Sequence, residues 1–337
     1  MSEFYTEKIE KSPRIDKLKA DLFKLPPQIE ADRAVLLTES YKATEGEPII
    51  MRRAKAFEHI LDNIPIIIRD GELIAGSATI RPRSCQVFPE FSFEWLEKEF
   101  DTVATRTADP FYISEDTKKT LHEVYKYWKG KTTSDLATSY MTSETLMAMK
   151  HNMFTPGNYF YNGIGHVTVD YGKVITYGYS EYIEEIEDEL SSMRVSDGNY
   201  CKKHALLEAM LISLRAVIRY AKRYSRLAKE MAGRESDGKR REELLKISEA
   251  CDRVPEFGAR DFHEACQSFW FVQMLLQTES SGHSISPGRF DQYMYPHYKK
   301  SLEAGMSREQ AQELIDCVWV KLNDLNKCRD EVSAEGF

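Results

Sequence analysis

An eighteen-residue stretch, 281–298, is unusually dense in side chains that could do chemistry. It holds two histidines, three serines, an arginine, an aspartate and three tyrosines, and glycine and proline interrupt it. Polar groups this dense in a connection between helices are expected to hydrogen-bond either the protein's own backbone or a ligand. His283 and Ser284 follow the end of an apolar helical pattern, so we expect them to face a cavity or an interface.

A second candidate site lies in residues 154–172, which are rich in glycine, tyrosine and asparagine. Asn158 and His166 can both grip a hydroxyl group, and glycines such as Gly163 and Gly165 allow the backbone to approach another group closely. Two interpretations stay open, a ligand site or a turn-rich loop with a hydrogen-bonded core histidine. The glycine pair is not a dinucleotide fingerprint, because no strand-turn-helix unit surrounds it.

Other patterns predict structural roles. Arg289 and Asp291, two residues apart, are predicted to form a structural ion pair, and His297 is predicted to lie at the surface or to cap a helix. His263 is not followed by a second histidine four residues later, so no helical zinc site and no metal are predicted. The sequence has no Gly-x-Ser-x-Gly elbow to present a serine nucleophile.

Helical periodicity dominates the elements that must position these residues. We predict one short helix that begins at Pro13. Further helices are predicted at about 29–44, 50–61, 94–106, 115–128, 143–150, 203–232, 234–252, 262–277 and 308–326. Ser307 and Gln310 form the capping-box pattern that opens the last one. Residues 66–76 are predicted to form a β-hairpin around an Asp-Gly turn, and 174–176 to form a strand.

Composition limits the class of protein. The 337 residues allow one large or two ordinary domains, and 42% hydrophobic with 30% charged residues is typical of a globular protein. The net charge of −8 argues against nucleic acid or an anionic membrane as a partner. We expect no transmembrane helix, since no apolar run reaches about 20 residues, and no signal peptide. Six scattered cysteines predict reduced thiols in the cytoplasm.

Several sequence pieces, taken in order, resemble one enzyme family. They are Asp70-Gly71-Glu72-Leu73-Ile74-Ala75-Gly76, Val87-Phe88-Pro89-Glu90-Phe91, Gly157-Asn158-Tyr159 with Gly165-His166-Val167, the run from Gly282 to Tyr293, and the run from Ile315 to Lys327. This set resembles the glycyl radical enzymes of the pyruvate formate-lyase-like family. It is most similar to their B12-independent branch, the glycerol and propane-1,2-diol dehydratases.

The resemblance implies an α/β, predominantly helical chain that forms the N-terminal part of a ten-stranded α/β barrel. Residues 1–337 would be the N-terminal part of a pyruvate formate-lyase domain, without the cysteine loop and the glycine radical domain. The family also needs a C-terminal glycine that an S-adenosylmethionine iron–sulfur activating enzyme converts to a radical, a cysteine on a mid-chain loop and a nearby carboxylate. This sequence contains none of those motifs. We therefore expect a portion of a lyase that is inactive alone, binds no cofactor itself, uses no B12 and belongs to a homodimer.

The resemblance also implies roles for four residues. Asn158, His166, His283 and Ser284 would hydrogen-bond the hydroxyls of a small diol. His166 would protonate the departing hydroxyl, because hydroxide is a poor leaving group and histidine titrates near neutral pH. Two alternatives stay open, a fragment with pyruvate formate-lyase-like acyltransferase chemistry and a non-catalytic binding or scaffold subunit.

Overall fold

Helices form most of the chain in the computed structural model, which describes residues 12–151, 153–154, 163, 165–281 and 284–335. The helices are α1 (Pro13–Phe23), α2 (Asp32–Ala43), α3 (Ile49–Asn63), α4 (Glu94–Lys98), α5 (Glu115–Trp128), α6 (Thr133–Ser139), α7 (Ser143–Lys150), α8 (Tyr171–Tyr177), α9 (Tyr179–Ser192), α10 (Tyr200–Arg234), α11 (Gly238–Arg253), α12 (Phe262–Ser280), α13 (Phe290–Glu303), α14 (Arg308–Asp324) and α15 (Glu331–Glu335). The prediction of a predominantly helical α/β chain is confirmed.

Strand structure is confined to short parallel pairs in the described residues. Strand β1 (Ile29–Glu30) pairs with β2 (Cys85–Gln86), and Ile29 lies opposite Cys85. Two isolated bridges extend parallel pairing, one between Gln28 and Tyr112 and one between Thr168 and Ser286. The second bridge joins the two stretches that the sequence marks as candidate sites.

Most predicted helices are present. Those at 115–128 and 143–150 match α5 and α7. The predicted capping box opens α14, where the Ser307 hydroxyl accepts from the Gln310 amide and the Gln310 side chain accepts from the Ser307 amide. The predicted helix at 94–106 is too long, because α4 ends at Lys98 and irregular turns follow.

The predicted β-hairpin at 66–76 is wrong. The Asp70–Gly71 turn exists, with Gly71 at φ 82°, but no strand pairing is assigned to this segment. Side chains satisfy its backbone instead of a ladder. Gln267 bonds both the amide and the carbonyl of Ala75 at 2.8 Å, and the Trp270 indole donates to the Gly76 carbonyl at 3.0 Å.

The predicted strand at 174–176 is also wrong, because these residues lie inside α8. The helix begins after Asp170, whose carboxylate accepts from the Lys173 amide at 3.1 Å. Val174 and Ile175 are buried on one side of the short helix. A three-residue apolar run does not distinguish a strand from a buried helix turn.

Helix α12 lies at the centre of the core, as its all-round apolar pattern predicts. Phe269, Trp270 and Phe271 are each at most 1% exposed. Helices α8, α11, α13 and α14 all pack against it. Among the described residues, no helix is both long and apolar enough to cross a membrane.

Candidate functional site

The candidate site lies at the C-terminal end of α12, where two connections meet. Residues 163 and 165–170 precede α8, and residues 281 and 284–289 precede α13. Since α8 and α13 both pack on α12 and on each other, their preceding segments are brought together. The packing of three helices therefore unites two stretches that lie more than a hundred residues apart in sequence.

A buried arginine anchors this end of α12. Arg33 donates to the carbonyls of Thr278 at 2.7 Å and Glu279 at 3.1 Å, which the helix leaves without intrahelical partners. Its guanidinium also pairs with Glu90 at 2.7 Å and lies 3.7 Å from the centre of the Phe88 ring. Two of the residues that carry the family resemblance, Phe88 and Glu90, thus support the start of the 281–298 stretch.

The two candidate stretches are joined by backbone pairing. The Ser286 amide donates to the Val167 carbonyl at 2.9 Å, and Thr168 and Ser286 form the parallel bridge. His166 and Ser284 each lie two residues before a bridge partner, so they occupy matching positions on neighbouring segments. The structure therefore brings together the segments of these two predicted site residues.

His166 and Ser284 share an unusual backbone conformation. Their φ angles are 57° and 58°, in the left-handed region that non-glycine residues rarely adopt. Such strain persists only where surrounding structure enforces it, and it clusters at functional sites. Both side chains are exposed at the surface of the described structure. Asn158 and His283 lie outside the described residues.

A hydrogen-bonded chain of side chains connects the two segments beneath their surface. The Tyr171 hydroxyl donates to the Gln273 side-chain carbonyl, and the Gln273 amide nitrogen donates to the Ile285 carbonyl at 3.1 Å. Burial raises the pKa of Tyr171, which keeps the phenol a donor. Tyr171 lies in the 154–172 stretch that the sequence marks as a candidate site, whereas Gln273 was not identified. A glutamine inside a helix that is apolar all round was the available signal for it.

Two glycines permit the close approach of these segments. A Cβ atom at Gly163 would lie 1.3 Å from the Ser280 carbonyl oxygen, so only glycine fits against the end of α12. At Gly288, whose φ is 65°, a Cβ would lie 2.9 Å from the Thr168 side chain. The expectation that the glycines of residues 154–172 allow close backbone contact is thus met at Gly163.

A polar cavity of about 650 Å³ borders Ser284. Its polar lining includes Ser84, Gln86, Gln273, Gln277, Asn326 and Lys327. The ammonium of Lys327 donates to the carbonyl of Ser281, the first residue of the loop. Burial, and secondarily the charge of Arg329, lowers the pKa of Lys327 to about 7. In the sequence, Lys327 ends the run from Ile315 that carries the family resemblance, but no role was predicted for it.

The remaining predicted residues have structural roles. Arg289 and Asp291 approach to 3.8 Å as the predicted ion pair, but both are largely exposed, so the pair adds little stability. His297 is half-buried, and burial lowers its pKa. His263 bonds the Leu73 carbonyl at 2.8 Å. In the part of the chain that the structure describes, no three His, Cys, Asp or Glu residues form a metal-binding group.

Proteins of known sequence resemble this chain over most of its length. The chain is 35% identical to the probable dehydratase YbiW of Escherichia coli K12 over 305 residues, which are 90% of this chain and 38% of YbiW. It is 33% identical to the (2S)-3-sulfopropanediol dehydratase of Klebsiella oxytoca over 325 residues, which are 95% of this chain and 39% of that enzyme.

Solved structures match over nearly the whole chain. A structure described for 1,2-propanediol dehydration in Roseburia inulinivorans matches with a TM-score of 0.96 and 63% identity over 98% of this chain and 40% of its own. The glycerol-bound B12-independent glycerol dehydratase of Clostridium butyricum matches with a TM-score of 0.95 and 52% identity over 98% of this chain and 42% of its own.

The chain therefore spans about two fifths of the length of these relatives, and the expected likeness to part of the glycyl radical barrel is confirmed. The family model for pyruvate formate lyase-like proteins matches residues 5–337. On this evidence, the chain belongs to the pyruvate formate lyase-like family.

Proposed function

We propose that this chain forms the N-terminal, diol-binding part of a glycyl radical dehydratase that converts glycerol or propane-1,2-diol to an aldehyde and water. One observation carries the proposal. The chain is 63% identical, over 98% of its length, to a protein described for 1,2-propanediol dehydration. The pairing of the His166 and Ser284 segments supports it, since these segments hold the polar groups that a diol would need.

Under this proposal the diol binds against the paired segments. His166 delivers a proton to the departing hydroxyl, an effect that contributes about 10²–10⁴-fold to the rate of such steps. Ser284 orients the hydroxyls, together with Asn158 and His283. A site built to hydrogen-bond hydroxyls rejects analogues that lack them, so monohydric alcohols should bind poorly.

The rest of the reaction depends on parts that this sequence does not contain. In the assembled enzyme the glycyl radical would supply hydrogen-atom abstraction through the cysteine of the mid-chain loop, and a radical S-adenosylmethionine iron–sulfur enzyme would install that radical. We propose that the chain itself binds no cofactor, uses no B12, and acts within a homodimer. Its six free cysteines suit the reducing cytoplasm, where we place the protein.

A chimera tests this proposal. Residues 5–337 would replace the matching segment of the Clostridium butyricum glycerol dehydratase, to which this chain is 52% identical. The chimera would be activated anaerobically, its glycyl radical quantified by electron paramagnetic resonance, and its products from glycerol and propane-1,2-diol measured. We expect 3-hydroxypropanal and propanal, and His166→Gln should lower kcat about 10²-fold or more with radical formation intact.

The matched control is His122→Gln, which changes an exposed histidine paired with Glu97 far along the chain from the site. It should leave kcat within about twofold of the parent chimera, as surface changes generally do. A chimera that carries the radical but forms no aldehyde would refute the dehydratase proposal. Formate release from pyruvate and coenzyme A would instead indicate acyltransferase chemistry.

A further inference from the structure

We propose that Gln273 is a positioning residue for the diol site, which holds the His166 and Ser284 segments in register through one side-chain amide. The inference rests on the proposed function, and in it the Gln273 side-chain amide positions the two segments that form the diol site. Gln273 acts through the backbone that carries Ser284 and through the helix that follows His166.

The amide of Gln273 uses its two ends on two different segments. Its carbonyl accepts from Tyr171, the first residue of α8, and its nitrogen donates to the Ile285 carbonyl at 3.1 Å. Ile285 directly follows Ser284, and Tyr171 lies five residues after His166. A change at Gln273 therefore affects both halves of the site together.

Neighbouring contacts hold the amide in one orientation. Tyr171 is fully buried, and its ring packs on Phe269 with centroids 4.8 Å apart. Phe269 lies one helical turn before Gln273 on α12, so both residues face Tyr171 from the same side of that helix. Gln273 is itself only 4% exposed. Only the observed orientation gives the Tyr171 hydroxyl an acceptor and the Ile285 carbonyl a donor.

Stability alone gives no reason for a glutamine at this position. Burying an amide in an apolar helix carries a desolvation penalty that hydrogen bonds only offset. Methionine has nearly the same length and would fill the same space without that penalty. The glutamine provides what methionine cannot, a fixed link between two loop segments.

Helix α12 supplies a matched control at Gln267. This glutamine is also fully buried. Its side-chain oxygen accepts from the Ala75 backbone amide, and its side-chain nitrogen donates to the Ala75 carbonyl, both at 2.8 Å. Ala75 lies in the 66–76 loop, so the side-chain bonds of Gln267 lead away from both site segments. Gln267→Met should therefore cause a comparable loss of global stability without a specific effect on the site.

The first test is amide hydrogen exchange on the 337-residue chain, followed by mass spectrometry. The Ser286 amide, which donates to the Val167 carbonyl, reports directly on the pairing of the two segments. We expect Gln273→Met to speed exchange in peptides covering 284–293 by tenfold or more relative to Gln267→Met. Equal exchange in the two variants would overturn the inference, and this readout does not depend on catalysis.

The second test measures kinetics of the activated chimera. Gln273→Met should lower kcat/KM for the diol at least tenfold more than Gln267→Met, at equal radical content. Gln273→Glu adds a readout that a purely structural role would not move. A protonated glutamic acid can donate to Ile285 and accept from Tyr171, whereas a carboxylate would face the Ile285 carbonyl with a negative charge.

The ratio of Gln273→Glu to parent activity should therefore rise as pH falls. The other titratable groups that line the cavity are Asp109, Lys327 and Arg329. They are present in both proteins, so their effects on activity cancel when the ratio is taken at each pH. A flat ratio, or equal losses for the two methionine variants, would overturn the inference. If the parent chimera makes no aldehyde, the proposed function fails while the exchange experiment still decides the role of Gln273.

Discussion

Polar side chains that are buried or partly buried hold the backbone around this candidate site. Arg33 holds the end of α12, Gln273 links the two loop segments, and Lys327 bonds the Ser281 carbonyl. Each is a polar group taken out of water, where an unmade hydrogen bond is expensive. Their partners are mostly backbone carbonyls, so each side chain fixes the path of a loop.

Lys327 leads to a prediction on the pH dependence of stability. Its pKa lies near 7 in the folded chain and near the ordinary value of 10.5 in the unfolded chain. Between these values the unfolded chain binds the extra proton, so the free energy of unfolding should rise with pH. Below pH 7 both states are protonated, and the penalty for burying the ammonium is complete.

The measurement is urea unfolding between pH 6 and 9 of the natural chain and of Lys327→Met. The difference between their unfolding free energies should grow with pH by at most about 1.4 kcal/mol per pH unit. The increase should be smaller than this limit, because Lys327 is only partly buried. Lys229→Met removes an exposed ammonium from α10 and serves as the control. Parallel curves for the natural chain and Lys327→Met would contradict the prediction.

At the scale of elements, helices with long periodic patterns could be predicted from sequence, and short segments could not. Helices α5, α7 and α14 begin at sequence-readable caps, Ser114, Thr142 and Ser307. The 66–76 segment has strand-like composition, yet its backbone partners are Gln267 and Trp270. Those partners lie almost 200 residues away, and no local pattern can reveal them.

The candidate site likewise has features that could be predicted from sequence and features that could not. The types and spacing of residues marked both stretches, and the glycines predicted close backbone contact. The Thr168–Ser286 bridge and the Gln273 link arise from how α8 and α13 pack on α12. Such contacts depend on tertiary packing, so a single sequence without relatives contains no direct signal for them.

Gly163 allows a test of this fit between elements. Gly163→Ala places a methyl group 1.3 Å from the Ser280 carbonyl oxygen, and neither group is the free end of a side chain. One of the two backbones must move, at a cost of about 1–3 kcal/mol or more. Urea unfolding should show this loss, and exchange should increase in peptides covering 163–170.

Gly198→Ala is the matched control for that variant. Gly198 has no atom within 4 Å of an added Cβ, and it lies in the exposed turn before α10. Its unfolding free energy should stay within about 0.5 kcal/mol of the natural chain. Equal stability of the two alanine variants would mean that the 163 segment does not rest against α12.

At the scale of the whole molecule, hydrogen bonds join residues from the early part of the chain to residues near its C-terminal side. Arg14 bonds the Gly71 carbonyl at 2.8 Å and Glu313 at 3.2 Å. Arg106 bonds the Arg329 carbonyl at 2.7 Å. One hydrophobic cluster runs from Ile15 to Cys328. In the part of the chain that the structure describes, a continuous core of this kind favours a single domain.

We therefore expect residues 1–337 to unfold as one cooperative unit. Trp128 and Trp270 are both buried and lie in different parts of the core, with indole groups bonded to Thr38 at 2.8 Å and to Gly76 at 3.0 Å. Incorporated 5-fluorotryptophan would report on each by fluorine NMR, and single Trp→Phe variants would assign the signals. Both native signals should disappear at the same urea concentration, since coincident transitions define two-state behaviour. Loss of the Trp128 signal at clearly lower urea would show that α2 and α5 form a separate unit, and the chain would then contain two domains.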